Sequence, residues 1–335
     1  MKIGKQSAVL KNVYLGETAV VTGPKEKNGP LGRHFDKTYD KLHCNAKSWE
    51  KAEMQLLRDA IEICLEKNGL EESDVDYFIG GDLNNQLVIG NYVLREYKLP
   101  YLGVFGACST ANESIIVGAS LLEAKFGRKV LVGTSSHNAT SERQFRYPTE
   151  YGGQKPESLT FTVTAAGVAL LQDEPTPIKV SGFTAGKVID ADFKDPLDMG
   201  RAMAPAAFDT IKQHFEDFRV GPEAYDLIVT GDLSYYGREM VVQLFKEIKI
   251  DFSEKYKDCG LLIYDRDNQE VFAGGSGCGC AAAVTFGYLT SLLKEGHYKK
   301  ILVVATGALL NAVITAQKES IPGIAHAVVL ERVIP

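Results

Sequence analysis

No apolar run in this 335-residue chain is long enough to cross a bilayer. The stretch Met1-Lys2-Ile3-Gly4-Lys5-Gln6-Ser7 has no apolar core of the kind a secretory signal carries, so the expectation is a protein made and kept in a cytoplasm-like compartment. Basic clusters are lacking as well. The 37 lysines and arginines are scattered among 43 acids, for a net charge of -6, which argues against nucleic acid as a partner. Six cysteines (Cys44, Cys64, Cys108, Cys259, Cys278 and Cys280) show no disulfide-framework spacing, as fits a reducing environment. Only Cys278 and Cys280 stand close together. With no second pair and no histidine nearby, they read as small-residue packing, and neither a metal nor a cofactor is expected.

What is present is an ordinary soluble composition, 45% hydrophobic and 24% charged, in a chain long enough for one large domain or two fused medium ones. One stretch organises it: Gly103-Val104-Phe105-Gly106-Ala107-Cys108-Ser109-Thr110-Ala111-Asn112-Glu113. An apolar run stops at small residues, presents a cysteine, and continues as a helix-like sequence. That is the outline of a nucleophile elbow, where unpaired N–H groups at a helix start favour a thiolate or an oxyanion. A small buried hydrophobe is the other reading of the same cysteine.

Along the chain, Ser48 is an N-cap for a helix running to Asn68, with Met54, Leu57, Ile61, Cys64 and Leu65 on one face and Gly69 as its stop. Residues 1 to 48 read as an irregular arm with one short strand, Thr18 to Thr22. Strands are expected at Val75 to Ile79, Leu102 to Phe105, Lys129 to Gly133 and, as one long piece, Thr160 to Leu171. Helices are expected from Asn84 to Glu96 and from Asn112 to Phe126. Asn138 to Ser158 loses periodicity and reads as a functional loop.

The second half repeats this plan. Gly80-Gly81-Asp82-Leu83 is echoed by Thr230-Gly231-Asp232-Leu233, Lys129-Val130-Leu131-Val132 by Lys300-Ile301-Leu302-Val303, and Ala166 to Leu171 by Ala325 to Leu330. Counting back from these anchors places Cys278 opposite Cys108. Four anchors in one order indicate a duplicated α/β unit divided near Pro175-Thr176-Pro177, with sheets covered by helices and the two elbows brought together in the middle.

These residues resemble the thiolase superfamily, which includes the thiolases and the β-ketoacyl synthases. Closer still, Gly106 to Glu113, the loop Phe145-Arg146-Tyr147-Pro148-Thr149-Glu150-Tyr151-Gly152-Gly153-Gln154-Lys155-Pro156, and Phe161 to Gly167 resemble the stage V sporulation protein AD family of spore-forming bacteria. The resemblance implies a layered αβαβα fold of two duplicated halves, residues 1–175 and 176–335, assembled as a homodimer. It also implies binding of dipicolinic acid (pyridine-2,6-dicarboxylate), free or as its calcium chelate. The role implied is uptake into the developing spore and release on germination, together with other stage V A membrane proteins. Synthesis in the forespore cytoplasm and a peripheral position at the spore inner membrane, reached through those partners, would follow.

Condensing enzymes of the superfamily add histidines, or a histidine and an asparagine, from the second half to the cysteine. Here Asp232 stands in one of those slots and Gly274-Gly275-Ser276-Gly277 in the other. An ionised Asp is an acceptor only and cannot hold an oxyanion. Cys108 is therefore a vestigial nucleophile candidate, and the expectation is a protein that binds instead of catalysing. An acyltransferase using Cys108, or a scaffold with an idle cavity, are the alternatives. The candidate ligand-binding residues are Cys108, Ser109, His137, Arg143, Arg146, Asp232, Ser276 and His326. Lys187, Arg201 and Lys318 are further cations able to grip a carboxylate. His34, His43, His214 and His297 read as surface.

Overall fold

The computed structural model describes residues 1–145 and 154–333. The first half runs β1 (Tyr14–Thr22), α1 (Trp49–Asn68), β2 (Tyr77–Asp82), α2 (Val88–Leu94), β3 (Tyr101–Gly103), α3 (Thr110–Glu123), β4 (Lys129–Ser136), α4 (Asn138–Phe145) and β5 (Ala165–Gln172). The second runs β6 (Ile178–Thr184), α5 (Met199–Phe218), β7 (Leu227–Thr230), α6 (Ser234–Glu247), β8 (Tyr256–Asp258), α7 (Cys278–Ala283), β9 (Lys300–Ala308) and β10 (Gly323–Arg332).

The main sheet has the order β8-β7-β9-β10-β6-β1-β5-β4-β2-β3. It reads the same from either end once each strand is exchanged for its counterpart. β2, β3 and β4 pair in parallel, and β5 and β1 join antiparallel. β7, β8, β9, β10 and β6 repeat that pattern. The halves meet where β6 pairs with β1 through Ile178 opposite Leu15 and Lys179 opposite Tyr14.

Alternating side chains on these strands separate three apolar layers. Leu56, Leu57, Ile61 and Cys64 of α1 pack with Ile89 and Val93 of α2 on the outer face of the first half. Ile211 and Phe215 of α5 and Val241 and Phe245 of α6 pack against Ile228, Leu302 and Val304 on the outer face of the second. Between the sheets lie Ile115, Ala119 and Leu122 of α3 with Cys280 to Ala283 of α7, touching Val130 and Val132 from one side and Val229, Ile301 and Val303 from the other. The layering is αβαβα.

α1 begins after extended Ser48 and stops at Gly69, whose φ of 62° is the left-handed cap that glycine supplies without strain. Four expectations change. Asn138–Phe145 is a helix without an apolar stripe, because its turns hang on polar contacts: Thr140 Oγ1 donates to Glu53 and Gln144 Nε2 to the Leu83 carbonyl. The expected strand from Thr160 divides in two. Phe161–Thr162 pairs with Gly275–Ser276, while Thr164 turns its N–H to the Glu26 carboxyl before β5 starts. The expected helix from Asn84 opens as a tight turn, Asn85–Leu87, with Gln86 and Leu87 both left-handed. His214 is buried and not at the surface, because it shares the apolar stripe of α5, where its ring meets Thr184 Oγ1 and the Tyr225 hydroxyl.

Candidate functional site

β3 ends at Gly103, and Ala107–Ser109 form a single 3₁₀ turn that feeds directly into α3. Ala107 takes a φ of 50°, a strained value for alanine that swings the next side chain out of the helix line. The turn is tied by its own hydroxyls: Ser109 Oγ donates to the Gly106 carbonyl at 2.7 Å and Thr110 Oγ1 to the Ala107 carbonyl at 2.6 Å. Ser109 therefore serves the backbone of the elbow. The Gly106 carbonyl lies so close to β9 that a Cβ on Gly307 would stand 2.3 Å from it. Glycine there lets the first-half elbow seat itself on the central strand of the second half.

Cys108, only 5% exposed, meets two second-half residues at this seat. Its Sγ lies 4.0 Å from Ser276 Oγ, which in turn donates to Asp232. The Asp232 carboxylate is fully buried and accepts from Thr306 Oγ1 at 2.7 Å, Ser276 Oγ at 3.0 Å and the Gly277 N–H at 2.9 Å. Burial raises its pKa and these donors oppose the rise. Burial, and then the negative charge of Asp232, push the Cys108 thiol well above its ordinary value. The sulfur thus keeps its proton at neutral pH. The Ser276 hydroxyl, a donor that could meet an oxyanion, is here given to Asp232.

Above Cys108 is a cavity with free space of about 30 Å³, lined by Leu83, Phe105, Ala107, Cys108, Ser141, Phe145, Thr162, Met199, Ser276, Ala308 and Leu310. That admits water-sized occupants only. Phe105, Phe145 and Leu310 also border an outer groove of about 320 Å³, whose remaining walls come from Asn84 to Leu87, Gln144 and Leu309 to Val313. The groove has the size of a small-ligand site. Among the described residues, neither lining contains lysine, arginine or histidine.

The structure therefore brings Cys108, Asp232 and Ser276 together, and the other candidates lie elsewhere. His137 Nε2 meets the Leu42 carbonyl at 2.8 Å and its Nδ1 accepts from the Ala139 N–H. His326 Nδ1 accepts from the Gly186 N–H. Burial lowers both imidazoles to about 4, so they are neutral at pH 7. Arg143 pairs with Glu50, Lys187 with Asp209 and Arg201 with Asp198, while Lys318 is exposed. Arg146 lies outside the described residues. Sequence reasoning passed over Thr306, Gln144 and Glu53. For Glu53 a signal existed, since an acid stands four residues before Leu57 on the buried stripe of α1.

This arrangement can be set beside known proteins. The family model for stage V sporulation protein AD (SpoVAD) matches residues 4–331. Stage V sporulation protein AD of Bacillus subtilis (strain 168) is 52% identical over 330 residues, which cover 98% of this chain and 97% of that protein. Among solved structures, 3-oxoacyl-[acyl-carrier-protein] synthase III of Aquifex aeolicus VF5 superposes with a TM-score of 0.58 at 14% identity, over 95% of this chain and 99% of that one. Human mitochondrial 3-ketoacyl-CoA thiolase gives 0.59 at 12% identity, over 98% and 100%. At such identities these two likenesses speak for the fold alone. With a family model spanning nearly its whole length and a relative sharing half its residues, this chain belongs to the stage V sporulation protein AD family.

Proposed function

We propose that the protein is a non-enzymatic binder of dipicolinic acid, free or as its calcium chelate, acting with other stage V A membrane proteins in uptake into the developing spore and in release on germination. The observation that carries the non-enzymatic part is the setting of Cys108: its second-half neighbours are the Ser276 hydroxyl and, behind it, the buried Asp232 carboxylate, where a condensing enzyme needs an imidazole or amide donor. Family membership supports the ligand. The groove supports a planar aromatic acid by its size, by Phe105 and Phe145 for the ring, and by the carboxamides of Asn85, Gln86, Gln144 and Asn311 for the carboxylates. Isothermal titration with dipicolinate tests this reading: heat no greater than that from an unrelated aromatic dicarboxylate overturns it. Mass spectrometry after exposure to acyl-CoA donors tests the other side, since an adduct on Cys108 would restore the acyltransferase reading.

Among the described residues, no helix is long and apolar enough to cross a membrane. The peripheral position proposed at the spore inner membrane therefore rests on membrane partners. A homodimer is proposed through β3, which ends the sheet with Leu102 42% exposed. An apolar edge strand of this kind pairs with its own copy across a twofold axis. Leu102→Lys would then shift the sedimentation coefficient to that of a monomer, and an unchanged value removes β3 from the interface.

A further inference from the structure

The two walls of the outer groove are tied together behind the surface by a single buried acid that the proposed function does not use. Glu53, on α1, is fully buried. Its Oε2 accepts from Thr140 Oγ1 at 2.7 Å and from Asn84 Nδ2 at 3.1 Å, and its Oε1 accepts from Ser135 Oγ at 3.1 Å. Thr140 belongs to α4, which carries Ser141, Gln144 and Phe145 to the cavity and groove. Asn84 belongs to the opposite wall. Gln144 closes the tie from the groove side, donating to the Leu83 carbonyl at 2.9 Å and accepting from the Asn85 N–H at 3.1 Å.

A second buried acid stands beside the first. Asp82, at the end of β2, accepts from the Asn84 N–H and the Gly90 N–H, both at 2.9 Å. Asn84 thus bonds one carboxyl through its backbone and the other through its side chain. Two buried carboxylates bridged by one residue cannot both hold a charge cheaply. Among the described residues, no cation pairs with either. From α7 the Cys278 thiol feels both acids and is itself pushed well above its ordinary value, so it stays uncharged. β4 offers the Ser135 hydroxyl, α4 the Thr140 hydroxyl and α2 the Gly90 N–H; from β3 the Tyr101 phenol, which donates to the Gly80 carbonyl, faces Asp82 and is raised by burial and then by that charge, so it stays uncharged. Glu50, one turn earlier on α1, is turned to Arg143.

We propose that Glu53 and Asp82 share one proton at neutral pH, and that loss of this proton places a second negative charge behind the groove and weakens the binding of an anionic ligand there. The Ser135 hydroxyl can reverse to accept that proton, so the neutral acid keeps its partners. Burial, and then the charge of Asp82, raise Glu53, which agrees with this geometry. The inference rests on the groove being the ligand site.

Titration calorimetry with dipicolinate from roughly pH 6 to roughly pH 9 tests it, because the ligand's own carboxyl groups titrate well below that range. Affinity of the wild type should fall about tenfold, the effect of one unscreened charge behind the site, while Glu53→Gln binds equally across the range. Parallel curves for the two proteins overturn the proposal. Should Glu53→Gln misfold, Asp82→Asn serves instead: with the repulsion removed, Glu53 ionises at lower pH, and the fall in affinity moves to lower pH with it. If the wild type binds at no pH, the ligand reading fails. Urea unfolding of the free protein then decides the pair, since shared protonation requires wild-type stability to decline more steeply with rising pH than that of Glu53→Gln, in which Asp258, raised to about 7, still titrates. Equal declines overturn it.

Discussion

The two elbows of the duplicated chain occupy equivalent places and have opposite fates. Cys108 ends an alanine-strained turn and faces a cavity; Cys278 opens α7 after Gly277, whose φ is 103°, and is wholly enclosed, with its Sγ 2.9 Å from the Ser135 carbonyl. Each elbow rests on the central strand of the other half at the same register. The first meets β9 at Gly307, where a missing Cβ admits the Gly106 carbonyl, and the second meets β4 at Ser136, whose hydroxyl accepts from the Gly279 N–H at 3.1 Å. What differs is space. Duplication supplied two helix starts, but only the first opens onto a void, so only it can be a site.

The largest expected effect contrasts the halves by pH. His137 in the first half and His214 and His326 in the second are buried and neutral, lowered to about 4, about 3 and about 4. A histidine whose folded value is depressed contributes stability above its unfolded pKa of ~6.5 that is lost as pH falls toward the folded value. Each should cost about 3 kcal/mol by pH 4. Urea midpoints across that window should drop steeply, and His326→Gln should flatten the curve more than any exposed-histidine change; an unchanged slope would mean that the imidazole is charged in the folded state.

Next, Gly307→Ala should destabilise by about 3 kcal/mol, since the new methyl group meets backbone that cannot yield. Ser136→Ala at the equivalent register should cost about 2 kcal/mol, because it leaves the Val163 carbonyl and the Gly279 N–H without partners. Denaturant unfolding measures both, and equal losses would show that the two contacts are not built differently. A smaller change is expected from Asp232→Asn. Removing the negative charge should make the Cys108 thiol about tenfold more acidic, with Cys278 still held by burial. Thiolate ultraviolet absorbance across a pH titration reads the change, and a curve equal to wild type would mean that Asp232 does not hold the thiol. Smallest of all, Cys108→Ala should cost about 1 kcal/mol, less than Cys278→Ala, because a group lining a void loses fewer contacts than an enclosed one.

Much of this arrangement is legible in the chain. Ser48, the apolar stripe and Gly69 mark α1: Ser48 holds the N-cap place in extended backbone without a side-chain bond to the helix, and Gly69 meets the need for a positive φ by residue type alone. The repeat anchors likewise place Asp232 and Ser276 opposite Cys108, since equivalent positions in duplicated units come to equivalent places. α4 escapes such a reading because its stripe is polar and its partners, Glu53 and the Leu83 carbonyl, are distant in sequence. The burial of His214 escapes for a related reason: an imidazole on an apolar stripe looks amphipathic until Thr184 and Tyr225 are seen around it.

The amino-acid sequence by itself determined the duplication, the place of the elbow, and the absence of histidine and asparagine from the catalytic slots. Those follow from order and residue type. Only the tertiary structure decided what Cys108 is now. The state of a buried thiol depends on which charges stand within a few ångströms, and here the fold sets a carboxylate against it, seals its cavity to water-sized space, and leaves the larger groove outside.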